Sequence, residues 1–276
     1  PDGLPPDLRL RLADAGMVTL QGLDDTLSAL SAAGRYPVLR AQVLTDPESR
    51  LLPVLTKTSQ PVNTLNEAEG KALLAQHGVR VTAHATGTAE EVIAAADSLG
   101  YPLAVKLLNA DLVHKNRAGA VHLDIKDTVG LEQAISAIRA SVSRYDASLD
   151  TDHFLIERMI AAPHSEFIVG ASYKPGIGHA LVIGGGGTAV EELKDFTTLL
   201  LPASAVQIDE AVRGLRLARK RRLDQRDIPA LVKAVSEIVE LITQYRDRLV
   251  ELDVNPIILD AAGNCTAVDA LVRIRS

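Results

Sequence analysis

The order in which helical and strand-like patterns succeed one another constrains this chain more than any single motif. Between residues 64 and 108 helices and strands alternate. Thr64 and Glu67 have the spacing of a capping box ahead of Ala68, Ala72, Leu73 and Leu74, and Gly78 is the stop. Thr88 and Glu91 repeat that spacing ahead of Val92, Ala95, Ala96 and Leu99, stopped by Gly100. Strand-like runs fall at 79–83, 103–108 and 120–125. Further on, runs at 154–160, 167–173 and 179–183 follow one another directly, the last two joined by the tight turn Lys174-Pro175-Gly176. The C-terminal runs at 249–254, 256–259 and 266–271 are grouped in the same way around Asp260-Ala261-Ala262-Gly263-Asn264. Longer helical patterns lie at about 130–142 and 228–246. Long parallel alternation is absent, so the expected fold is α+β, with layers of antiparallel sheet and not a doubly wound nucleotide fold.

Composition narrows the function classes. With 47% hydrophobic residues, the 276-residue chain has enough apolar material for a real core. Lys and Arg number 29 against 35 Asp and Glu, a net charge of -6, so the basic excess of a nucleic-acid groove is missing. Five Tyr, three Phe and no Trp leave few platforms for stacking bases. The single Cys265 closes no intrachain disulfide and makes no thiolate zinc site, which fits a reducing compartment and points to the cytoplasm. No stretch approaches the roughly 20 apolar residues of a spanning helix, so no membrane partner is expected. The chain begins at Pro1 with neither a basic nor an apolar leader and reads as a piece of something longer. Residues 7–33 read as two helices around Met17-Val18-Thr19-Leu20, too small a unit to fold alone. Pro37, Pro47, Pro53 and Pro61, mixed with Ser, Thr and Gln, then predict a linker.

The last hairpin carries the most specific local signal. If its turn centres on Ala262, Asn255 faces Asp269 directly, and directly opposed side chains lie about 4.5–5.5 Å apart at Cβ. One amide oxygen and one carboxylate so placed suit magnesium, which accepts one or two protein oxygens beside water and phosphate. Asp253 shares the face of Asn255. The competing reading is a bend at Asn255-Pro256 with a solvated Asp269, and a one-residue slip would break the pairing. Lys106 stands inside the apolar run Leu103-Ala104-Val105-Lys106-Leu107-Leu108, where an ammonium must find an anion or reach water. The basic turn His114-Lys115-Asn116-Arg117-Ala118-Gly119 follows, either a loop over a phosphate chain or an ordinary polar turn. Glu157 and Glu166 interrupt or border apolar strands, and both also fit plain rim residues. Gly184-Gly185-Gly186-Gly187 admits close approach to an anion or is a floppy turn, and it matches neither dinucleotide nor Walker spacing. Arg219-Lys220-Arg221-Arg222 reads as a solvated helix end.

Taken in order, these stretches resemble the ATP-grasp domain of ADP-forming acyl-CoA synthetases, which is related to the succinyl-CoA synthetase β subunit. The matching segments are Leu65-Asn66-Glu67-Ala68-Glu69, Ala104-Val105-Lys106 through Lys115, Gly119-Ala120-Val121 and Glu166-Phe167-Ile168-Val169-Gly170. The glycine run with Val190-Glu191-Glu192-Leu193-Lys194-Asp195 and the segment Leu252-Asp253-Val254-Asn255-Pro256 complete the set. The resemblance implies an ATP-grasp fold, two α+β lobes with ATP or ADP between them, over residues 64–276. It implies a linker at 46–63 and, in 1–45, the tail of a preceding CoA-ligase domain. It assigns catalysis to His114, Lys106 and Asp253. Lys106 contacts phosphates, and the loop from His114 through Lys115 and Arg117 to Gly119 covers them. Glu157, Arg158, Met159 and Ile160 line the adenine site mainly through backbone groups, and Glu166 faces ribose or phosphate. Asn255 and Asp269 hold Mg2+, and His114 is a phosphoryl carrier. CoA and a small carboxylic acid are expected to bind mostly on CoA-binding and CoA-ligase domains of the same enzyme, and a homodimer is left open. One departure is that Phe196-Thr197-Thr198-Leu199-Leu200-Leu201-Pro202 keeps the family's proline without the arginine that usually precedes it. The alternatives are a catalytically silent nucleotide-binding or regulatory module fused to an acyltransferase, and another ATP-grasp ligase that joins a carboxylate to an amine.

Overall fold

A computed structural model describes residues 4–20, 22–45, 60–112, 115–187 and 195–276. The chain divides into two compact units, Pro1–Arg50 and Leu51–Ser276. In the first, α1 (Pro6–Asp14) and α2 (Leu23–Thr45) flank the exposed segment containing Met17, Val18 and Leu20. The expected helix pair is present, but α2 runs well past residue 33. Pro37 lies inside it, removing one N–H from the ladder without ending the helix, so the stretch after it is helix and not linker. The rest of the expected linker lies largely outside the described residues, and its last two positions, Val62 and Asn63, belong to a strand.

The second unit contains two sheets, and every ladder among the described residues is antiparallel. The smaller sheet has the order β2-β5-β3-β4, built from β2 (His84–Thr88), β3 (Leu103–Leu107), β4 (Val121–Ile125) and β5 (His153–Arg158). The helices α4 (Ala89–Leu99) and α5 (Thr128–Tyr145) cover it, and Val92, Ala96, Leu131, Ile135 and Ile138 share a core with Leu103, Val105 and Phe154. The capping box of Thr88 and Glu91 forms as predicted, with Glu91 accepting from the Thr88 N–H at 2.8 Å.

The larger sheet runs β1-β11-β9-β6-β7-β8, with β10 on β9. Its strands are β1 (Val62–Leu65), β6 (Pro163–Lys174), β7 (Gly178–Gly185), β8 (Phe196–Leu200), β9 (Leu249–Asp260), β10 (Cys265–Ala267) and β11 (Leu271–Arg275). The helices of this unit that join its core are α3 (Glu67–Gln76), α6 (Ala205–Gly214), α7 (Arg216–Lys220) and α8 (Asp227–Gln244). Ile228, Leu231, Val235, Ile238 and Ile242 recur at helical spacing along α8, and each fully buried aliphatic side chain contributes about 1.5–3 kcal/mol. No helix among the described residues is long and apolar enough to cross a membrane.

Three expectations are corrected. First, 79–83 is no strand. It crosses between the sheets, bonded to the larger through Thr82 N–H to Ala267 O at 3.2 Å and Ala267 N–H to Arg80 O at 2.8 Å. The smaller sheet is joined immediately after, at His84 opposite Glu157. Second, the cap of α3 is Asn66 with Glu69, because Thr64 is committed to β1 opposite Arg273. Glu67 is thereby free to point inward. Third, 266–271 is not one strand: β10 ends at Ala267 and β11 begins at Leu271, while β9 runs unbroken through Pro256. Register holds across this gap, with Cys265 opposite Leu259 on one side and Leu271 opposite Asp253 on the other. Asn255 and Asp269 therefore occupy opposed positions, as the turn centred on Ala262 predicts, with Asp269 in the gap.

Candidate functional site

A cleft of about 610 Å³ is lined by residues of both sheets. Its floor is a cluster of charges. Lys106, buried on β3, lies 2.7 Å from Glu67 Oε1 and 2.6 Å from Glu157 Oε1. The ammonium in the apolar run has thus found two anions, one from α3 and one from the neighbouring strand β5. Lys71, one helical turn beyond Glu67, is fully buried and lies 3.1 Å from Glu67 Oε1 and 2.5 Å from Glu157 Oε2. Its Nζ also donates to Thr82 Oγ1 at 3.2 Å, and the Thr82 hydroxyl donates to Glu157 Oε2 at 2.5 Å. Lys115, from the turn after β3, pairs with Glu67 Oε2. Asp269 stands at the edge of the cluster, 3.9 Å from both Lys106 and Lys115.

These contacts set the protonation states. Burial alone would raise the Glu67 carboxyl, but Lys106, Lys71 and Lys115 together hold it well below the usual range. Burial likewise works against a charged Lys106, yet Glu67, Glu157 and Asp269 hold its ammonium well above its ordinary value. Glu157 is also lowered, its burial outweighed by Lys106 and Lys71. Asp269 goes the other way: burial and the Glu67 carboxylate raise it despite the nearby lysines. Asp253 is raised by burial, Glu251 and Asp269. Glu67, Glu157 and Lys106 are therefore held in their charged forms, while Asp253 and Asp269 would gain from an added cation.

Most of the residues singled out in the sequence meet here. Lys106, Lys115, Arg117, Glu157, Arg158, Met159, Ile160, Glu166, Asp253, Asn255 and Asp269 all line the cleft. His114 lies outside the described residues, as does the segment from Val190 to Lys194. Gly119 is not among the lining residues. At φ +66° it packs against α5, where a Cβ would meet Ser141 Oγ at 2.5 Å, so its glycine serves that contact. The backbone role expected of Glu157 is also corrected: as part of the central strand β5 it is paired with His84 and Ala104, and its carboxylate belongs to the ionic floor. The N–H groups of Arg158 and Met159 are already donated, to Ala83 and Pro102. The glycine run approaches the protein's own backbone: Gly186 N–H donates to Glu166 O at 2.6 Å, and a Cβ there would fall 2.8 Å from Glu166 atoms. Asp195, at the end of the resembling segment, accepts from the N–H groups of Arg216 and Leu217 at 2.7 Å each and so holds the start of α7.

The members of the ionic cluster that sequence reasoning missed are Glu67, Lys71 and Thr82. Their signal was an acid and a base one turn apart on a helix whose other buried positions are Gly70, Leu73 and Leu74. Among the described residues no group of three His, Cys, Asp or Glu side chains is placed to hold a metal. The available oxygens, on Asp253, Asn255 and Asp269, suit instead a hard cation that takes one or two protein ligands and completes its shell with phosphate and water. The cleft lining also includes apolar residues from both sheets, among them Ala104, Val121 and Leu123 from one and Ile258 from the other. The cleft thus offers cations, oxygen ligands and apolar surface together, and its volume is within the range of about 300–1,000 Å³ for small-molecule sites.

Residues 56–274 match the sequence family described as ATP-grasp domain. The chain is 29% identical over 215 residues to the acetate–CoA ligase [ADP-forming] II subunit beta of Pyrococcus furiosus, covering 76% of this chain and 91% of that one. It is 27% identical over 214 residues to the 4-hydroxybutyrate–CoA ligase [ADP-forming] of Nitrosopumilus maritimus, covering 75% of this chain but 30% of that protein. The match therefore spans nearly all of one relative and under a third of the other. Among solved structures, a Pyrococcus horikoshii Ot3 protein superposes with a TM-score of 0.72 at 26% identity, over 77% of this chain and 92% of that one. An acetyl-coenzyme A synthetase of Ca. Korarchaeum cryptofilum, solved with coenzyme A and Ca-AMPCP, superposes with a TM-score of 0.70 at 23% identity, over 87% and 99% respectively, which shows the shared fold.

Proposed function

The chain belongs to the ATP-grasp family, and on that premise we propose that it is the nucleotide-binding, phosphoryl-transferring part of an ADP-forming acyl-CoA synthetase. The observation that carries this reading is the convergence of Lys106, Lys115 and Arg117 with Asp253, Asn255 and Asp269 on one cleft that also has apolar lining. Phosphoryl transfer needs positioning and charge neutralisation more than covalent help from the protein. Lys106 and Lys115 supply positive charge to the phosphate chain, and the lining around Val121, Leu123, Met159 and Ile160 takes the base. Asn255 and Asp269 hold magnesium, which when bound neutralises phosphate oxygens and fixes their direction. Asp253 stands beside them on β9 and orients that pair.

In the proposed reaction a neutral imidazole nitrogen of His114 attacks the γ-phosphorus. The N–P bond forms as the P–O bond to the β-phosphate breaks, and ADP leaves with that oxygen. The phosphoryl group then passes to an unmodified histidine on another domain, which becomes a phosphohistidine; the carboxylate takes the group from it as an acyl phosphate, and the CoA thiol displaces phosphate to give acyl-CoA. We assign residues 1–45 to the tail of a preceding CoA-ligase domain and the residues from 46 up to the start of β1 at Val62 to the linker. Exposed Leu10, Val18, Leu23 and Leu30 in the two-helix unit favour that assignment, since they ask for a covering partner. CoA, the carboxylic acid and the CoA-binding domains are thus the expected partners, and the buried free Cys265 suits the reducing cytoplasm.

Incubation of the chain with γ-labelled ATP and magnesium tests this. An acid-labile label that disappears in His114→Ala is expected. Measurable ATP binding without any acid-labile label would turn the assignment to a silent nucleotide-binding module.

A further inference from the structure

Glu67 opens α3 and touches three lysines with one carboxylate: Lys106 at 2.7 Å, Lys71 at 3.1 Å, and Lys115. Lys106 and Lys115 line the cleft, whereas Lys71 has 0% exposure and does not. The ammonium groups of Lys71, Lys106 and Lys115 face the carboxylates of Glu67, Glu157 and Asp269, so the floor is formally neutral as it stands. While Glu67 holds both cleft lysines, their charge is largely spent on the protein's own carboxylates. To be bound by lysine a polyanion must take one from Glu67.

The three lysines differ in what such a surrender leaves behind. Lys106 is held a second time, by Glu157 at 2.6 Å, and its side chain is 6% exposed. Lys71 is held by Glu157 at 2.5 Å and by Thr82 at 3.2 Å, entirely out of solvent. Lys115 has Glu67 as its close carboxylate, Asp269 only at 3.9 Å, and 18% of its side chain exposed. It is the lysine free to turn. A buried carboxylate abandoned by every cation would be strongly destabilising, but Glu67 keeps Lys71 one turn along its own helix.

We propose that Glu67 is a resident counter-anion: it occupies Lys115 in the nucleotide-free cleft and yields it to the incoming phosphate chain, while Lys71 stays behind as the buried cation that keeps Glu67 neutralised. The proposal rests on the nucleotide-binding reading above. It makes the cleft selective for ligands with several negative charges, because a single charge gains no more from Lys115 than Glu67 already does.

Calorimetric titration of the full 276-residue chain with Mg-ADP tests the exchange. Glu67→Gln keeps shape and hydrogen-bonding capacity but removes the competing charge. It is expected to bind Mg-ADP on the order of tenfold tighter, the scale of one unit charge about 10 Å away at an effective dielectric near 20. Lys115→Gln, at a partly exposed position that tolerates change, is expected to bind at least about tenfold more weakly. In the Lys115→Gln background the gain from Glu67→Gln should be clearly smaller than in the wild type, because only the direct relief of charge repulsion remains. If the wild type binds Mg-ADP but Glu67→Gln binds equally or less well, or Lys115→Gln binds as the wild type does, the exchange is wrong and the nucleotide-binding reading stands. If neither wild type nor Glu67→Gln binds Mg-ADP, both fall.

Discussion

Replacing Lys71 by Met removes a cation that no ligand can reach and leaves the cleft lining intact. The side chain is fully buried, with Glu157 at 2.5 Å, Glu67 at 3.1 Å and Thr82 at 3.2 Å. Met matches its length but not its charge, so two buried carboxylates share the two remaining lysines. Breaking a buried ion pair by removing one partner costs about 3–5 kcal/mol. For a unit of this size each kcal/mol lowers Tm by about 2–4 °C, so a drop of about 6–20 °C is expected. The pH dependence has a definite sign. Glu67 and Glu157 have native-state values held below the ordinary range. Their contribution is fully present above the unfolded value near 4.3 and fades as pH falls through the folded values. In Lys71→Met both carboxyls rise toward that range, so the penalty is full at pH 8 and shrinks as pH falls below the unfolded value near 4.3, as at pH 3. Urea unfolding followed by circular dichroism at both pH values measures this. Adding Glu157→Gln should recover part of the loss, with a coupling of about 0.5–3 kcal/mol. A loss below about 1 kcal/mol at pH 8, or a larger loss at pH 3, would refute the view that these charges form one cluster.

Gly186→Ala places a Cβ 2.8 Å from the Glu166 carbonyl carbon and Cβ, where a backbone must move; a cost of about 1–3 kcal/mol is expected, with weakened ligand binding because Glu166 lines the cleft. Wild-type stability in that variant would mean the approach of β6 to the residue after β7 is looser than described. The Cys265 thiol is pushed up to about 12 by burial, Asp227 and Asp260, so at pH 8 it should resist a disulfide reagent in the native chain and react at once in urea. Prompt labelling of the folded protein would contradict that burial.

Lys106 was legible because a charge in a fully apolar run has few ways to survive, and the structure supplies the anions it requires. The opposition of Asn255 and Asp269 was legible because hairpin register follows from the turn, and that register survives even where the ladder breaks at Val268, Asp269 and Ala270. Glu67 was hidden by an ambiguity: Thr64 with Glu67 and Asn66 with Glu69 have the same spacing, and only the pairing of β1 with β11 decides between them. Thr82 was lost in a β-rich run that the structure uses to cross between sheets. Among the described residues β8 pairs on one side only and shows exposed Phe196 and Leu200, so its pattern is weak in sequence. The glycine run at 184–187 looked like a ligand loop, yet the close approach it permits is to Glu166 and to the Asp195 region of the same chain.

ATP affinity of the wild-type chain and of Asp269→Ala, each with and without magnesium, decides whether this cleft is a Mg-nucleotide site. The expected result is that magnesium tightens ATP binding at least about tenfold in the wild type, that this gain is lost in Asp269→Ala, and that magnesium-free affinity is unchanged or improved by the lost negative charge. A wild-type chain that binds no ATP, or binds it with no regard to magnesium, would contradict the account.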